Sequence, residues 1–359
     1  MSLVYGKVTT EPKRKGKQFR LNANDLKILK VVYDCQDLKI QEIVEKTGLS
    51  EITVKRRLKI LREQKILSKK YAVNYWKIGL SPLMVVGQNL LEKLDKEFVE
   101  FFVKSVRTVF ISVPYQILDL VVPTEDLYHI LKYLYECLGE VEVYFLKSFH
   151  ESISFRFYDM ESNDWKVNFL ALSLYIKEIM AEEEYVEVLK QNSIVKTINE
   201  VHSSKMIKLS WEDMKIIHSL RDFSGKGFLS PELNLNFSKS KIYRMRRKLE
   251  NLGVLKPYID IYPPKLSEKM FLIIDEGDKQ FLDALILGLS ELPKFSYCKA
   301  SKLDSTGEVI KDNVIIAKLH LPEGGFMNFI ENFTKILIDK VDFKLYLETG
   351  PPKFYESRL

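Results

Sequence analysis

Apolar residues recur at helical spacing behind a capping signature near the start of the chain. In LNANDLKILKVVYD, Leu26, Leu29, Val32 and Tyr33 form one stripe, and Asn22 with Asp25 three residues on matches a capping box. The next segment, IQEIVEKTGLS, turns Ile40, Ile43 and Val44 to one side and stops at Thr47 and Gly48, where glycine suits a left-handed turn. Ser50 then stands as the cap of a third helix, with Val54, Leu58 and Leu61 recurring inward. Helix, helix, glycine turn and serine-capped helix is the order of a helix-turn-helix. After Leu67, SKKYAVNYWKIG alternates and predicts a small β-hairpin or strand, the wing.

From Leu83 the period shortens. LMVVGQNL reads as a strand and DKEFVEFFVKS as a helix with Phe98, Phe101 and Phe102 on one side. TVFISVPY and QILDLVVP are two strands, TEDLYHILKYLYECLG is a helix from Thr124 as N-cap to Gly139, and EVEVYFLKSF is a last strand. The order is βαββαβ, an antiparallel sheet with two helices on one face. Some forty residues without Pro or Gly follow, from Asn163 to His202, with Glu182, Glu183, Glu184 and Glu187 clustered. Their pattern predicts one or two connecting helices.

At Leu209 the chain starts again. LSWEDMKIIHSL lies over LNANDLKILKVV at an offset of 188, with Ser210 over Asn22 and Asp213 over Asp25. The same offset puts Ser238 over Ser50, Ile242 over Val54, Arg244 over Arg56, Leu249 over Leu61 and Leu255 over Leu67. The middle segment, LSPELNLNFS, is more diverged. A second βαββαβ succession follows, and the halves close alike, FRFYDMES against PKFYESRL. An internal duplication explains cap, spacing and order together. The expected fold is α+β: two winged helix-turn-helix domains alternating with two ferredoxin-like βαββαβ domains. The divisions are a flexible basic arm (1–20), helix-turn-helix 1 (21–80), βαββαβ 1 (81–160), a helical linker (161–205), helix-turn-helix 2 (206–262) and βαββαβ 2 (263–359).

Charge sharpens this picture. The net charge is +6 over 359 residues, but its placement is uneven. Glu51 to Lys70 holds eight Lys/Arg against two acids, and Lys239 to Lys256 holds seven against one. Two compact basic windows point to an anionic partner gripped in two places. Cys35, Cys137 and Cys298 are dispersed and form no metal or disulfide pattern, so no metal and no cofactor is expected. The opening MSLVYGKVTT lacks the apolar core of a signal peptide, and VNFLALSLYI is about half a membrane span. A cytoplasmic protein with no membrane partner is the expectation.

With Val54, Leu58 and Leu61 inward, Thr53, Arg56 and Lys59 face away from the core and Lys55 and Arg57 flank them. In the duplicate, Ile242, Met245 and Leu249 are inward, leaving Ser240, Lys241, Tyr243, Arg244 and Arg247 outside and Arg246 between. A capped helix end with small polar residues and cations behind it suits major-groove docking, and Arg suits bidentate contact with guanine. The candidate DNA-binding residues are Ser50, Thr53, Lys55, Arg56, Arg57, Lys59, Lys69 and Lys70, with Ser238, Ser240, Lys241, Tyr243, Arg244, Arg246 and Arg247 in the duplicate.

The run from Leu21 to Phe155 resembles the leucine-responsive regulator/AsnC family of bacterial and archaeal transcription factors. The residues that carry the resemblance are Leu49-Ser50, Thr53-Val54, Arg56-Arg57-Leu58, Leu61 and Ile66-Leu67, then Ile78-Gly79-Leu80. It implies a winged helix-turn-helix on double-stranded DNA. It also implies a βαββαβ domain, that family's regulator-of-amino-acid-metabolism (RAM) domain, for oligomerisation and for sensing an amino acid or other small effector. Family members carry one unit per chain; this chain carries two. The family's Gly-x-Tyr-Asp turn between the second and third strands is here Val113, Pro114, Tyr115 and Gln116, keeping only the Tyr.

Two linked modules raise avidity by making the second contact intramolecular. The expectation is an internal pseudo-dimer, or a homodimer with four modules, on half-sites that need not be palindromic. The other readings are an architectural or replication-associated DNA binder, or an RNA- or protein-binding use of the fold. No catalytic residue is proposed: the chain has no P-loop, GxGxxG, HExxH or GxSxG, and His129, His150 and His218 are scattered.

Overall fold

The computed structural model describes residues 19–36, 38–181, 183–191, 194–201, 206–221, 238–338 and 340–355. The basic arm up to residue 18 and the diverged middle segment of the duplicate (222–237) lie outside the described residues. The chain is α+β, a winged helix-turn-helix followed by a large antiparallel sheet. It opens with α1 (Ala23–Cys35), α2 (Ile40–Thr47), α3 (Glu51–Glu63) and β1 (Leu67–Val73). Next come β2 (Leu80–Gly87), α4 (Leu90–Lys93), α5 (Lys96–Phe102), β3 (Val103–Phe110), β4 (Pro114–Pro123), α6 (Leu127–Leu138) and β5 (Glu142–Leu146).

A connecting stretch holds β6 (Ser148–Ser152), β7 (Tyr158–Asp159), β8 (Asp164–Trp165), α7 (Phe169–Ala181), α8 (Glu183–Gln191) and β9 (Lys196–Glu200). The second half follows as α9 (Trp211–Arg221), α10 (Lys239–Asn251), β10 (Leu255–Ile261), β11 (Glu268–Gly277), α11 (Lys279–Leu289), β12 (Lys294–Leu303), β13 (Val309–Leu321), α12 (Gly325–Ile338), β14 (Val341–Glu348) and β15 (Lys353–Phe354).

The caps form where the chain pattern places them. Asn22 accepts from the Asp25 amide and Asp25 from the Asn22 amide. Ser210 and Asp213 repeat this exchange in the duplicate. Ser50 and Ser238 accept from the amides of Thr53 and Lys241. Thr124 does not cap α6. Asp126 holds that place, while the Thr124 amide bonds Gly79 O and its hydroxyl meets Ser81. Phe101 also departs from its expected side: Phe98 is buried, but Phe101 is exposed.

The wing is the largest departure. It is not a hairpin: β1 pairs antiparallel with β10, its counterpart in the second half. Lys70 lies opposite Tyr258, the residue 188 positions on, so the ribbon is centred on a pseudo-two-fold axis. Flanking bonds obey the same symmetry, Asn74 N to Val254 O and Tyr262 N to Ile66 O, both 2.8 Å. The cores are exchanged as well. Ile259 and Ile261 of β10 bury among Ile28, Leu29, Val54 and Leu58 of the first helix set. Val73 of β1 buries among Ile216, Met245 and Leu249 of the second.

The two βαββαβ units close on each other. The strands run β13-β11-β14-β3-β4-β2-β5-β12, and β12 also pairs β13, completing a ring of eight. The two joints are counterparts: β14 on β3 and β5 on β12. Closure leaves no free edge within the ring. Its interior holds Met84, Val86, Ile117 and Tyr144 from the first half against Phe271, Ile273, Ala300 and Ile316 from the second. The helices cover the outside. The expected helical linker (161–205) is not purely helical, since it also holds β8 and β9, the latter pairing with β6 at the sheet beside β12, while α7 and α8 pack on the second half through Leu172, Ile176 and Val186.

Because that interior is shared, Ile273→Ala should cost roughly 2–5 kcal/mol and raise amide exchange in both halves together. Hydrogen-exchange mass spectrometry checks this; faster exchange confined to the second half would contradict a common core.

Two histidines are held neutral inside this body. Burial, then Lys299 and Lys256, lowers His150 to about 4. Burial, with Lys318, Lys294 and Lys269 around it, takes His320 well below its ordinary value. Each would bind a proton near pH 6.5 once unfolded. Their contribution is therefore intact above about pH 6.5 and is lost as pH falls toward 4. Glu151, pushed up to about 7 by burial against the pull of Lys294, works in the opposite sense. The comparison is thus with the parent: His150→Gln should flatten the acid limb of stability by roughly 2 kcal/mol between pH 7.5 and 5, at about 1.4 kcal/mol per pH unit below about 6.5. Urea unfolding at pH 7.5 and 5 measures it, and parallel curves would refute the assignment.

Candidate nucleic-acid interface

The first unit turns sharply at Gly48, whose φ of +69° is the left-handed conformation and whose amide bonds Val44 O. That turn delivers Ser50 as the cap of α3. Val54 and Leu61 are fully buried and Leu58 nearly so, which fixes the outer face. Ser50, Lys55, Arg56 and Lys59 are exposed there, and Thr53 is half-buried with its hydroxyl accepting from Ser50. Lys55 meets Glu51 at 2.5 Å and Lys59 meets Glu63 at 3.9 Å. Exposed pairs of this kind contribute little and give way readily to a phosphate. Arg56 makes no ion pair with any described residue, so its guanidinium points to solvent uncommitted.

Two basic residues of the expected set face inward instead. Arg57 grips Asp25 in a bidentate contact along one guanidinium edge, donating from Nε to Oδ1 at 2.6 Å and from Nη2 to Oδ2. Asp25 is fully buried and caps α1, so Arg57 ties α3 to the start of α1 and is not available to DNA. Lys70 is spent on Asp260 of β10 at 2.5 Å, across the ribbon. Lys69 is half-buried in the ribbon opposite Ile259.

The second helix is built on the same plan with different contacts. Ser238 and Ser240 are exposed at its start, their hydroxyls 3.2 Å apart. Met245 and Leu249 are buried. Met245 stands where Arg57 stood and cannot answer Asp213; Lys248, one turn later, does so at 2.7 Å. Lys241 is drawn to Glu212 at 2.7 Å. Tyr243 is exposed and carries the guanidiniums of Arg246 and Arg247 at 5.0 and 5.5 Å from its ring centroid. Arg246 is half-buried, lies 5.9 Å from the Tyr71 ring of β1 and pairs with Glu250, so it serves the joint between the halves rather than an outer surface. Arg247 also leans on Glu250 at 3.4 Å but stays exposed. Arg244 is exposed and makes no ion pair with any described residue.

The ribbon that follows both helices is tied to the sheet by a buried ionic chain. Lys294 of β12 meets Asp260 Oδ1 at 2.5 Å, Glu151 Oε2 at 3.1 Å and donates to Ile261 O at 2.9 Å. Nothing in the residue pattern marks Lys294 as different from a surface lysine; only the fold brings it beneath the ribbon. Sequence reasoning also passed over Ile52, which is 81% exposed on α3.

With this geometry in place, a family of winged helix-turn-helix DNA-binding domains matches residues 21–67. A search of curated proteins finds no match. Among solved structures, the siroheme decarboxylase NirDL is similar at 13% identity and a TM-score of 0.46, with 94% of each chain covered. Its complex with an iron-uroporphyrin III analogue gives 12% identity and a TM-score of 0.43, covering 94% of this chain and 93% of that one. PH0061 gives 20% identity and a TM-score of 0.27 over 35% of this chain and 91% of that one. At these scores the likeness transfers neither residues nor activity. Among the described residues, no cluster of three His, Cys, Asp or Glu side chains is placed to hold a metal ion, and no helix is long and apolar enough to cross a membrane.

Arg57 and Arg56 should therefore separate cleanly. Arg57→Ala leaves a buried carboxylate unpaired and should cost roughly 3–5 kcal/mol, whereas Arg56→Ala should cost under about 0.5 kcal/mol. Denaturant unfolding decides; equal costs would return Arg57 to the outer face.

Proposed function

We propose that this chain is a sequence-specific double-stranded-DNA-binding regulator of transcription that displays two reading helices, α3 and α10, as an internal pseudo-dimer. The observation that carries the reading is the ribbon register, Lys70 opposite Tyr258, which relates the two capped basic helices by an approximate two-fold axis. Duplex DNA accepts such a pair when half-sites lie one helical turn or a multiple apart. Arg56 and Arg244 hold equivalent places and stand uncommitted among the described residues, as a pair meant for an external anion would. In this reading the chain is a binder and not a catalyst. The closed sheet holds the helices in register and is where a small effector, such as an amino acid, would act. A homodimer of such chains would carry four reading helices.

Selection from random duplexes should return two unlike half-sites spaced by about 10–10.5 base pairs or a multiple. On that duplex, Arg56→Glu and Arg244→Glu together should weaken binding roughly a hundredfold or more, and the parent's affinity should fall steeply with salt. Unchanged affinity or a flat salt response would refute the proposal. Even genomic coverage without sharp promoter peaks would favour an architectural role.

A further inference from the structure

The outward stripe of α3 begins with a residue that the fold does not explain. At about 100° per residue, Ile52, Arg56 and Lys59 fall on one line, opposite the buried Val54. Ile52 is 81% exposed, at the second position of the helix beside the Ser50 cap, and among the described residues no hydrophobic cluster includes it. A β-branched side chain held out in water contributes nothing to the core and forgoes the stabilisation that burial would bring. Its position is the end of a reading helix that approaches base edges. The duplicate keeps the rest of the stripe, with Arg244 for Arg56 and Arg247 for Lys59, but places Ser240 where Ile52 stands. Ser240 is exposed as well, with a hydroxyl in place of the hydrocarbon.

In the major groove, the base edges present one methyl group, the C5 methyl of thymine. We infer that Ile52 is a specificity-determining residue that packs on a thymine methyl in the half-site under α3, and that Ser240 makes the half-site under α10 indifferent to that methyl. This inference rests on the DNA-binding reading above. It makes the two half-sites unlike for a chemical reason, an apolar contact on one side and a hydroxyl that can serve any base on the other.

The test uses the full chain and a duplex recovered by selection. Each thymine is replaced in turn by deoxyuridine, which removes the C5 methyl and leaves every hydrogen-bonding edge intact. The dissociation constant is measured at fixed salt. We expect one or two positions under α3 to weaken binding by roughly three- to tenfold, about the worth of one buried methyl, and no position under α10 to do so. Ile52→Ala should lose the same factor on the unmodified duplex and become insensitive to the substitution, closing a double-mutant cycle. Ser240→Ile should create methyl sensitivity in the other half-site. Tight binding that is insensitive to uridine at every position, or an Ile52→Ala protein that keeps the parent's sensitivity, would overturn the assignment of Ile52 while leaving DNA binding intact. Failure to bind any duplex would overturn both. Since Ile52 is exposed, loss of fold does not confound the alanine variant, and thermal unfolding matched to the parent verifies that.

Discussion

A strand with unsatisfied edges is unstable in water and prone to find partners, and every edge of consequence here finds its partner in the other half. Among the described residues, β1 is a strand of seven residues with no strand of its own unit paired beside it. It acquires a ladder only from β10. The outer strands β3 and β5 of the first sheet are met by β14 and β12 of the second. Mutual edge capping explains why the duplicated chain folds as one body, since separating the halves would break these three pairings, exposing an edge on each partner strand, and split the shared interior around Tyr144, Ile273 and Tyr346.

That constraint sets the position of the two basic helices. α3 leads directly into β1 and α10 into β10, and the ribbon is symmetric about Lys70 and Tyr258. The helices are therefore placed by β-pairing and not by contact with each other. Lys294 then anchors the ribbon to the sheet: its ammonium is buried and bonded to Asp260 on one side and Glu151 on the other. A buried ion pair of this kind gives little net stability, but it specifies one geometry because misplacing it leaves a charge without a partner. Motion of the sheet would be felt at Asp260 and so at Lys70, at the centre of the ribbon.

Much of this was legible from residue order. The caps at Asn22, Ser50 and Ser238, the turn at Gly48 and the inward stripes of α3 and α10 are local features, written in neighbouring residues at fixed spacing. The closed ring and the exchanged wing strands were not legible, because pairing between strands so far apart in the chain leaves no periodic trace in either strand. Arg57 was misread for the same reason. Its neighbour Arg56 is the same residue and Lys55 carries the same charge, and only the buried carboxylate of Asp25, 32 residues earlier, distinguishes Arg57. Lys294 and Asp260 read as ordinary surface charges until the fold brings them together. Thr124 illustrates a smaller failure: a good capping residue loses to Asp126 because its hydroxyl and amide are already engaged by β2 and the turn before it.

The copies differ to different extents in different layers, and the pattern has a physical order. What closes each helical unit is preserved in role even where the residue changes: Met245 replaces Arg57, and Lys248 reaches Asp213 from one turn further on. What faces the other half is specialised to one side, as with Arg246 resting against Tyr71. What faces outward keeps its charge at Arg56 and Arg244 but not its chemistry at Ile52 and Ser240. In a homodimer of single units a change in the outer face appears twice, so both half-sites must change together. Fusing the two units into one chain removes that coupling. Each outer face can then change alone, provided the ribbon and the ring still close, and the residues that close them are the ones whose roles have stayed in place.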